Sequence, residues 1–353
     1  LYYFPHPDQV RPPADRYTLT EDRRAGSERF HYRLLHPRWW KPLLAPPAVD
    51  GGAPVVPLGE LGPPEQPTTR VRLSSWIFPL EIEAADWHRD VLSRRGDELL
   101  GERRIEHAER GASLDLLTRG PTPQGTVISR SIALKTSGPP DPRITLIEAH
   151  TLEEHYSTWA DDLAVMLDSF ALRRPMTFPY LESLSLYARG RPGDFSTYLP
   201  QSWKPVDVHT SPRADGWHLT HFVLAPNADA PLGRITLIVS GAAREERELF
   251  EPFLASLRPH ALELAGPGPL PSFGGLEAVQ GLAGHAHVRG DVGPDGKRQE
   301  TRLWVRAEVG RRGSHLYLLG LVGIHPEVER RAAAIGGRAF ELAKQHLRTA
   351  DVR

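Results

Sequence analysis

Apolar residues along this chain switch between a spacing of two and a spacing of three to four, and the switching runs through the same order twice. A β-rich run at Phe30–Leu35 leads into His36-Pro37-Arg38-Trp39-Trp40-Lys41-Pro42, and Phe195–Leu199 leads into Pro200-Gln201-Ser202-Trp203-Lys204-Pro205. Each is a strand ended by a proline–tryptophan corner and closed by Lys-Pro, which pairs Trp40 with Trp203. The run Val71–Leu80 predicts a strand, and Trp87, Val91 and Leu92 predict a helix over Ala84–Arg95. Strand and helix recur as Gly233–Ser240 and then Arg244–Leu257, with Leu249, Phe250, Phe253, Leu254 and Leu257 on one side. Pro252 predicts that this second helix starts near Glu251 or is kinked.

Leu99–Leu117 follows in the first pass and Leu276–Arg289 in the second. Each holds glycine (Gly111; Gly281 and Gly284) where two strands would turn or bulge. Along Thr126–Thr136, Val127, Ser129, Ser131 and Ala133 alternate with Ile128, Arg130, Ile132 and Leu134. Along Thr301–Val309, Leu303, Val305, Ala307 and Val309 alternate with polar partners. Both are expected as strands half exposed to solvent. A strand and a long helix close each pass. Arg143–Ala149 precedes Ser157–Leu172, with a stripe of Trp159, Leu163, Met166, Leu167 and Phe170. His315–Val322 precedes Pro326–Thr349, with Val328, Ala332, Ile335, Ala339, Phe340, Ala343 and Leu347.

The expected architecture is therefore α+β, two tandem units of antiparallel sheet plus helix, which fits 353 residues at roughly 150–170 per domain. The divisions are an irregular N-terminal arm at 1–27, a first unit at 28–175, a linker at 176–194 and a second unit at 195–350. Residues 45–67 hold seven prolines and are expected as a loop inserted in the first unit, because proline lacks the donor a central strand needs. Residues 267–275 read as another loop. A rival division notes that Phe253–Pro259 resembles Leu167–Pro175, so that a small middle domain would end near His260.

Composition narrows the classes. Forty-three Lys and Arg against 44 Asp and Glu leave no field to attract nucleic acid. The absence of cysteine removes disulfides and thiolate chemistry. No apolar run reaches the ~18 residues of a membrane span, and no signal segment opens the chain, so a cytoplasmic location is expected, with the periplasm as the alternative.

Three elements carry a resemblance to a known family: the Leu199–Lys204 corner (Leu-Pro-Gln-Ser-Trp-Lys), the Ala84–Arg95 helix followed by Leu99-Leu100-Gly101-Glu102, and the helix end Leu167-Asp168-Ser169-Phe170. With the order of elements, they resemble the PsbP-like fold of DcrB-type proteins and the Eag-type chaperones of type VI secretion effectors. That resemblance implies binding rather than catalysis. An apolar segment of a partner would be held against a sheet face, with two units in one chain acting as a pseudo-dimer.

Candidate binding residues are Trp76, Phe78, Ile128, Ile132, Trp304, Val305 and Tyr317, placed on inferred strands where an apolar groove could form. Most of the eight tryptophans are expected in the core. His285 and His287 share a strand face at a spacing that suits Zn²⁺, but no further ligands can be identified, and neither a metal nor a cofactor is assigned. Glu153-Glu154-His155 and Asp161-Asp162 open a predicted helix and read as helix-dipole partners. The pair Gly336-Gly337 inside the last helix suggests a close approach or a kink. No Gly-x-Ser-x-Gly, His-Glu-x-x-His or phosphate-loop motif is present. The function expected is a non-enzymatic chaperone or adaptor, a type VI secretion effector being one possible passenger. The alternative is an accessory subunit whose arm and proline-rich loop lie along its neighbours.

Overall fold

A computed structural model describes residues 2–10, 13, 15–22, 31–43, 55–107, 111–173, 179–189, 195–206, 217–224, 232–241, 245–257, 259–292 and 298–349. The chain divides into two compact units: Leu1–Pro79 with Glu83–Glu182, and Leu80–Ile82 with Ser183–Arg353.

The first unit runs β1 (Tyr17–Asp22), β2 (Tyr32–Pro37), β3 (Lys41–Pro42), β4 (Val55–Gly62), β5 (Arg70–Ile77), α1 (Ala84–Arg95), β6 (Glu98–His107), β7 (Gly111–Thr122), β8 (Gly125–Ser137), β9 (Arg143–Leu152), α2 (Tyr156–Ser169) and β10 (Ala171–Leu172). The second repeats it: β11 (Leu184–Arg189), β12 (Phe195–Pro200), β13 (Trp203–Val206), β14 (Trp217–Leu224), β15 (Gly233–Ser240), α3 (Arg247–Ala255), β16 (Ala261–Pro269), β17 (Glu277–Val292), β18 (Arg298–Arg312), β19 (His315–Ile324), α4 (Arg330–His346) and β20 (Arg348–Thr349). Each unit holds a seven-stranded sheet, ordered β3-β4-β5-β9-β8-β7-β6 or β13-β14-β15-β19-β18-β17-β16, and a three-stranded one, β1-β2-β10 or β11-β12-β20. The architecture is α+β, with the same strand order in both units.

Pairing gives residue-level equivalence. Across the first sheet run Pro42, Leu61, Val71, Ala149 and Arg130; across the second run Pro205, Phe222, Ile235, Leu321 and Arg306. With Pro42 matched to Pro205 two residues after the paired tryptophans, every position on these strands acquires a counterpart.

Several expectations are corrected. The supposed arm contains β1, which pairs with β2, and the supposed linker contains β11, which pairs with β12. Of the proline-rich stretch, residues 44–54 lie outside the described part, but Val55–Gly62 is strand β4 inside the large sheet. Its Pro57 is accommodated because the ladder slips at Pro57/Gly59, a bulge where no donor is required. Likewise β16 enters the stretch read as a loop, with a bulge between Ala265 and Gly268, and Leu276–Arg289 is almost wholly one strand rather than two. The helix α3 begins at Arg247 despite Pro252, since Leu249, Phe250 and Phe253 bury their side chains against the sheet. Val328 precedes α4 and is exposed, so it is not part of the apolar stripe.

Strand β8 is not half exposed: from Arg130 to Leu134 it is buried on both faces. Helix α1 covers one side, with His88 Nε2 at 2.8 Å from Ser131 Oγ, and α2 covers the other, where Ile128, Ile132, Leu163, Met166 and Phe170 share one core. In the second unit α3 packs on Val305, Ala307, Leu318 and Val322. Gly320 sits under Phe253, whose ring would lie 2.5 Å from an added Cβ. Gly320→Val is expected to cost about 1–3 kcal/mol by overpacking, read as a lower urea midpoint. An unchanged midpoint would show that Phe253 is free to move aside.

Candidate functional site

The α2-facing side of β6, β7 and β8 carries charge where an apolar core is expected. Period-two alternation puts Arg130 on the same face as Ile128, Ile132 and Leu134. Pairing sets Leu117 and then Gly101 beside Arg130, and Asp115 and then Arg103 beside Ile132. Arg130 is wholly buried and Asp115 nearly so. Arg130 Nε and Nη2 donate to Asp115 Oδ1 and Oδ2 at 3.0 and 2.8 Å, and Arg103 Nε and Nη2 donate to Oδ2 at 3.0 and 2.8 Å. One carboxylate therefore serves two guanidiniums. A surplus positive charge remains in a desolvated place, and it needs further acceptors.

Those acceptors come from an extended segment, Tyr2–Pro5. Arg103 Nη1 donates to the Phe4 carbonyl at 3.3 Å, while Arg103 Nη2 and Arg130 Nη2 both donate to the Pro5 carbonyl at 2.9 Å. The Phe4 ring lies 3.8 Å from the Arg103 guanidinium carbon and 4.9 Å from that of Arg130, a cation–π arrangement. Gly101 makes room for the ring, since a Cβ there would stand 2.9 Å from it.

Helix α2 and the turn before it hold the rest. The Tyr156 hydroxyl donates to the Tyr3 carbonyl at 2.7 Å. Burial pushes the Tyr156 phenol up to about 12, so it stays a donor at any working pH. Tyr2 donates to Glu153, and Tyr3 donates to Asp161 at 3.0 Å. Arg16 donates to Asp162 at 2.6 Å, and Tyr17 donates to the same carboxylate. The reading of Glu153, Asp161 and Asp162 as helix-dipole partners is therefore replaced. The first turn of α2 contains no acidic residue, and these carboxylates fasten the segment that precedes and includes β1. The surface built is a groove that captures main-chain carbonyls by arginine and an aromatic ring by stacking.

The seven candidate residues are not brought together. Ile128 and Ile132 lie in the core under α2 and Val305 in the core under α3, while Phe78 and Tyr317 are also buried, so none of these five presents a surface. Trp76 is half-buried edge-on to Trp87, with ring centroids 5.7 Å apart, and its Nε1 donates to Ser74 Oγ at 2.9 Å. Trp304 is half-buried, with its ring 3.5 Å from where a Cβ on Gly337 would stand. A Cβ on Gly336 would stand 3.6 Å from Leu321, so both glycines have ordinary van der Waals room for a methyl group and α4 runs unbroken through them; neither the close approach nor the kink expected of the pair is found. Of the tryptophans, Trp40, Trp87, Trp159 and Trp203 are core residues, and Trp39 is exposed under Arg16.

His285 lies edge-on to His325 with ring centroids 4.3 Å apart, while His287 Nδ1 and Nε2 meet Glu300 and Glu263 at 3.2 and 3.4 Å. Among the described residues no group of three or more such side chains is arranged to hold a metal ion. Nor is any helix among them long and apolar enough to cross a membrane. Phe4, Gly101, Arg103 and Asp115 escaped sequence reasoning. The one signal for the site was Arg130, a charge in register with three aliphatic residues.

No protein-family model matches the chain, and no curated protein matches it. Among solved structures it is similar to cyanobacterial PsbP (CyanoP) from Synechocystis sp. PCC 6803, at 13% identity and TM-score 0.30, over 44% of this chain and 92% of that one. It is also similar to the apo form of the immunity protein TplEi of the type VI secretion system (T6SS) from Pseudomonas aeruginosa, at 12% identity and TM-score 0.21, over 90% of this chain and 94% of that one. The same immunity protein complexed with an "L" peptide is similar at 12% identity and TM-score 0.20, with the same coverage.

Proposed function

We propose that this protein is a non-enzymatic adaptor or chaperone that holds an extended segment of a partner protein, bearing an aromatic residue and a proline, against the α2 side of β6–β8. The observation that carries the reading is the capture of Tyr2–Pro5 by Arg103 and Arg130 through its carbonyls. Carbonyls are common to every peptide, so the arginine pair reads backbone, and the space over Gly101 selects a planar ring. The chain's own segment fills the groove in cis. A partner segment must then displace an occupant whose effective concentration is in the millimolar range. The finer reading, in which the passenger belongs to a type VI secretion effector, rests on the sequence resemblance. The accessory-subunit alternative is less favoured, because Tyr2–Pro5 is already spent on its own unit.

Phe4→Ala is expected to loosen the cis segment and to raise affinity for an added fluorescent peptide spanning residues 1–10 by about tenfold or more, as the fraction of open groove rises. Anisotropy titration of the wild-type and Phe4→Ala chains measures this. Gly101→Val added to Phe4→Ala should abolish binding. If the Phe4→Ala chain keeps its thermal midpoint yet ignores the peptide, the groove is only an internal packing site.

A further inference from the structure

On the face of the first sheet opposite α2, α1 leaves one end uncovered. There a cleft of about 280 Å³ is lined by Arg70 and Arg72 of β5, Glu148 and His150 of β9, Arg95 at the end of α1, and Asp97. Thr68, Thr122, Gln124 and Ser129 add polar groups around it. Arg70 Nη1 donates to the buried Glu60 at 2.8 Å, and Arg72 Nε approaches the same carboxylate at 3.4 Å. Arg95 pairs with Glu148, itself buried. Three guanidiniums thus face two buried carboxylates, with Asp97 at the rim. Arg70 Nε is buried without a hydrogen-bond partner among the described residues.

The second unit supplies the control. By the strand equivalence above, the counterparts of Ser129, Arg72, Glu148 and His150 are Val305, Thr236, Gly320 and Val322. There Val305 and Val322 are core residues under α3, and Phe253 fills the space over Gly320. The fold is therefore built at these four positions without charge. The counterpart of Arg70 is Arg234, whose Nε is likewise buried without a hydrogen-bond partner among the described residues, so the contrast rests on Arg72, Glu148 and His150. Burying a carboxylate and an imidazole at the same places in the first unit disfavours folding unless they are compensated. Burial drives the His150 pKa down to about 4, so the ring is neutral at physiological pH and its nitrogens serve as one donor and one acceptor. Ionisable groups converging on a cleft that folding does not require mark a ligand site.

We infer that this cleft binds a small molecule that combines a carboxylate or phosphate, taken by Arg70 and Arg72, with a hydroxyl or other donor directed at Glu148, His150 and Asp97. At about 280 Å³ the cleft lies just below the usual range of ligand pockets, about 300–1,000 Å³, which restricts it to a small ligand. Recognition stands apart from the peptide-holding face, since no residue is shared, and it survives or fails independently of that reading.

The test uses the intact chain and two probes that each carry an oxyanion and a hydroxyl: inorganic phosphate and, separately, lactate. NMR titration follows the guanidinium Nε–Hε signals. Saturable shifts of Arg70 and Arg72 at millimolar concentration are expected from at least one probe. Response to phosphate alone assigns a phosphate ligand, and response to lactate alone a carboxylate. Arg72→Gln, which removes only the weaker contact to Glu60, should weaken binding by about tenfold or more, the worth of a charge-assisted hydrogen bond. His150→Val installs the second unit's residue and should weaken binding without lowering the thermal midpoint. Silence from both probes would overturn the inference, as would affinity unchanged in Arg72→Gln. A His150→Val chain that melts earlier and binds as before would show the histidine to be packing alone.

Discussion

Asp115→Ala is expected to destabilise the first unit by about 3–5 kcal/mol, because it strips the shared carboxylate from two guanidiniums, one of them wholly buried. The comparison with Arg103→Gln separates this from ordinary hydrogen-bond loss. Arg103 is 18% exposed, and without it Asp115 keeps Arg130, so the cost should be about 1–3 kcal/mol. Urea denaturation of the three chains measures both. Equal midpoints for the two variants would mean that the buried pair is not where the stability lies. The triple replacement Asp115→Leu with Arg130→Met and Arg103→Met should recover much of the loss, since apolar residues of similar volume often equal buried ion pairs. It should still release Tyr2–Pro5, since the Phe4 carbonyl loses Arg103 and the Pro5 carbonyl loses both arginines as donors, and this would expose the segment to protease. Stability and capture are thus expected to part in that chain, because the apolar sheet face supports the fold while the charge recruits the segment.

Lowering the pH from 7 to about 4.5 is the second large perturbation. Burial pushes His88 down to about 3 and His150 to about 4, from an ordinary 6.5. The unfolded chain binds these protons first, so their contribution is complete above about pH 6.5. It shrinks by roughly 1.4 kcal/mol per pH unit per histidine as the pH falls toward the folded values. Glu148 acts in the same direction at lower pH. Burial alone would raise its pKa, but Arg95 and the charges around it hold it below the ordinary carboxylate range, so protonation removes a stabilised anion. Both histidines belong to the first unit, whereas in the second burial pushes His221 alone this far, to about 4, so the first unit's urea transition should move about twice as far as that of the second. His88→Gln should flatten the dependence by about one proton. A first-unit transition that does not move between pH 7 and 4.5 would contradict the buried neutral state of His88, whose Nε2 lies 2.8 Å from Ser131 Oγ.

What was legible in the chain, and what was not, divides along a physical line. The α1 helix was readable to the residue because Trp87 and Leu92 follow a helical period and Gly96 ends it in a left-handed conformation. Strand β15 was readable because it is an aliphatic run between a glycine and a serine. Strands β4 and β16 were missed because proline and glycine argue against a strand. Only the bulges at Pro57 and at Ala265/Gly268, set by the neighbouring strands, excuse those residues. The candidate groove residues failed for a related reason. Alternation tells which side of a strand is apolar, but a sheet covered by helices on both faces buries both sides, and hydrophobicity then marks core rather than surface.

The sequence by itself determined the repeat: the Trp40 and Trp203 corners, the strand-then-helix order and the two closing helices are local patterns, and local propensity with periodicity is enough to write them. Tertiary structure alone decided the sites. A guanidinium on Arg130 becomes a peptide hook only when Asp115, Arg103 and the Phe4 and Pro5 carbonyls converge on it from segments far apart in the chain. Likewise Arg72 and Glu148 become a cleft only when β5 and β9 pair and α1 stops short of covering them. Charge and hydrogen bonding act over a few ångströms in space, and one-dimensional spacing does not carry that distance.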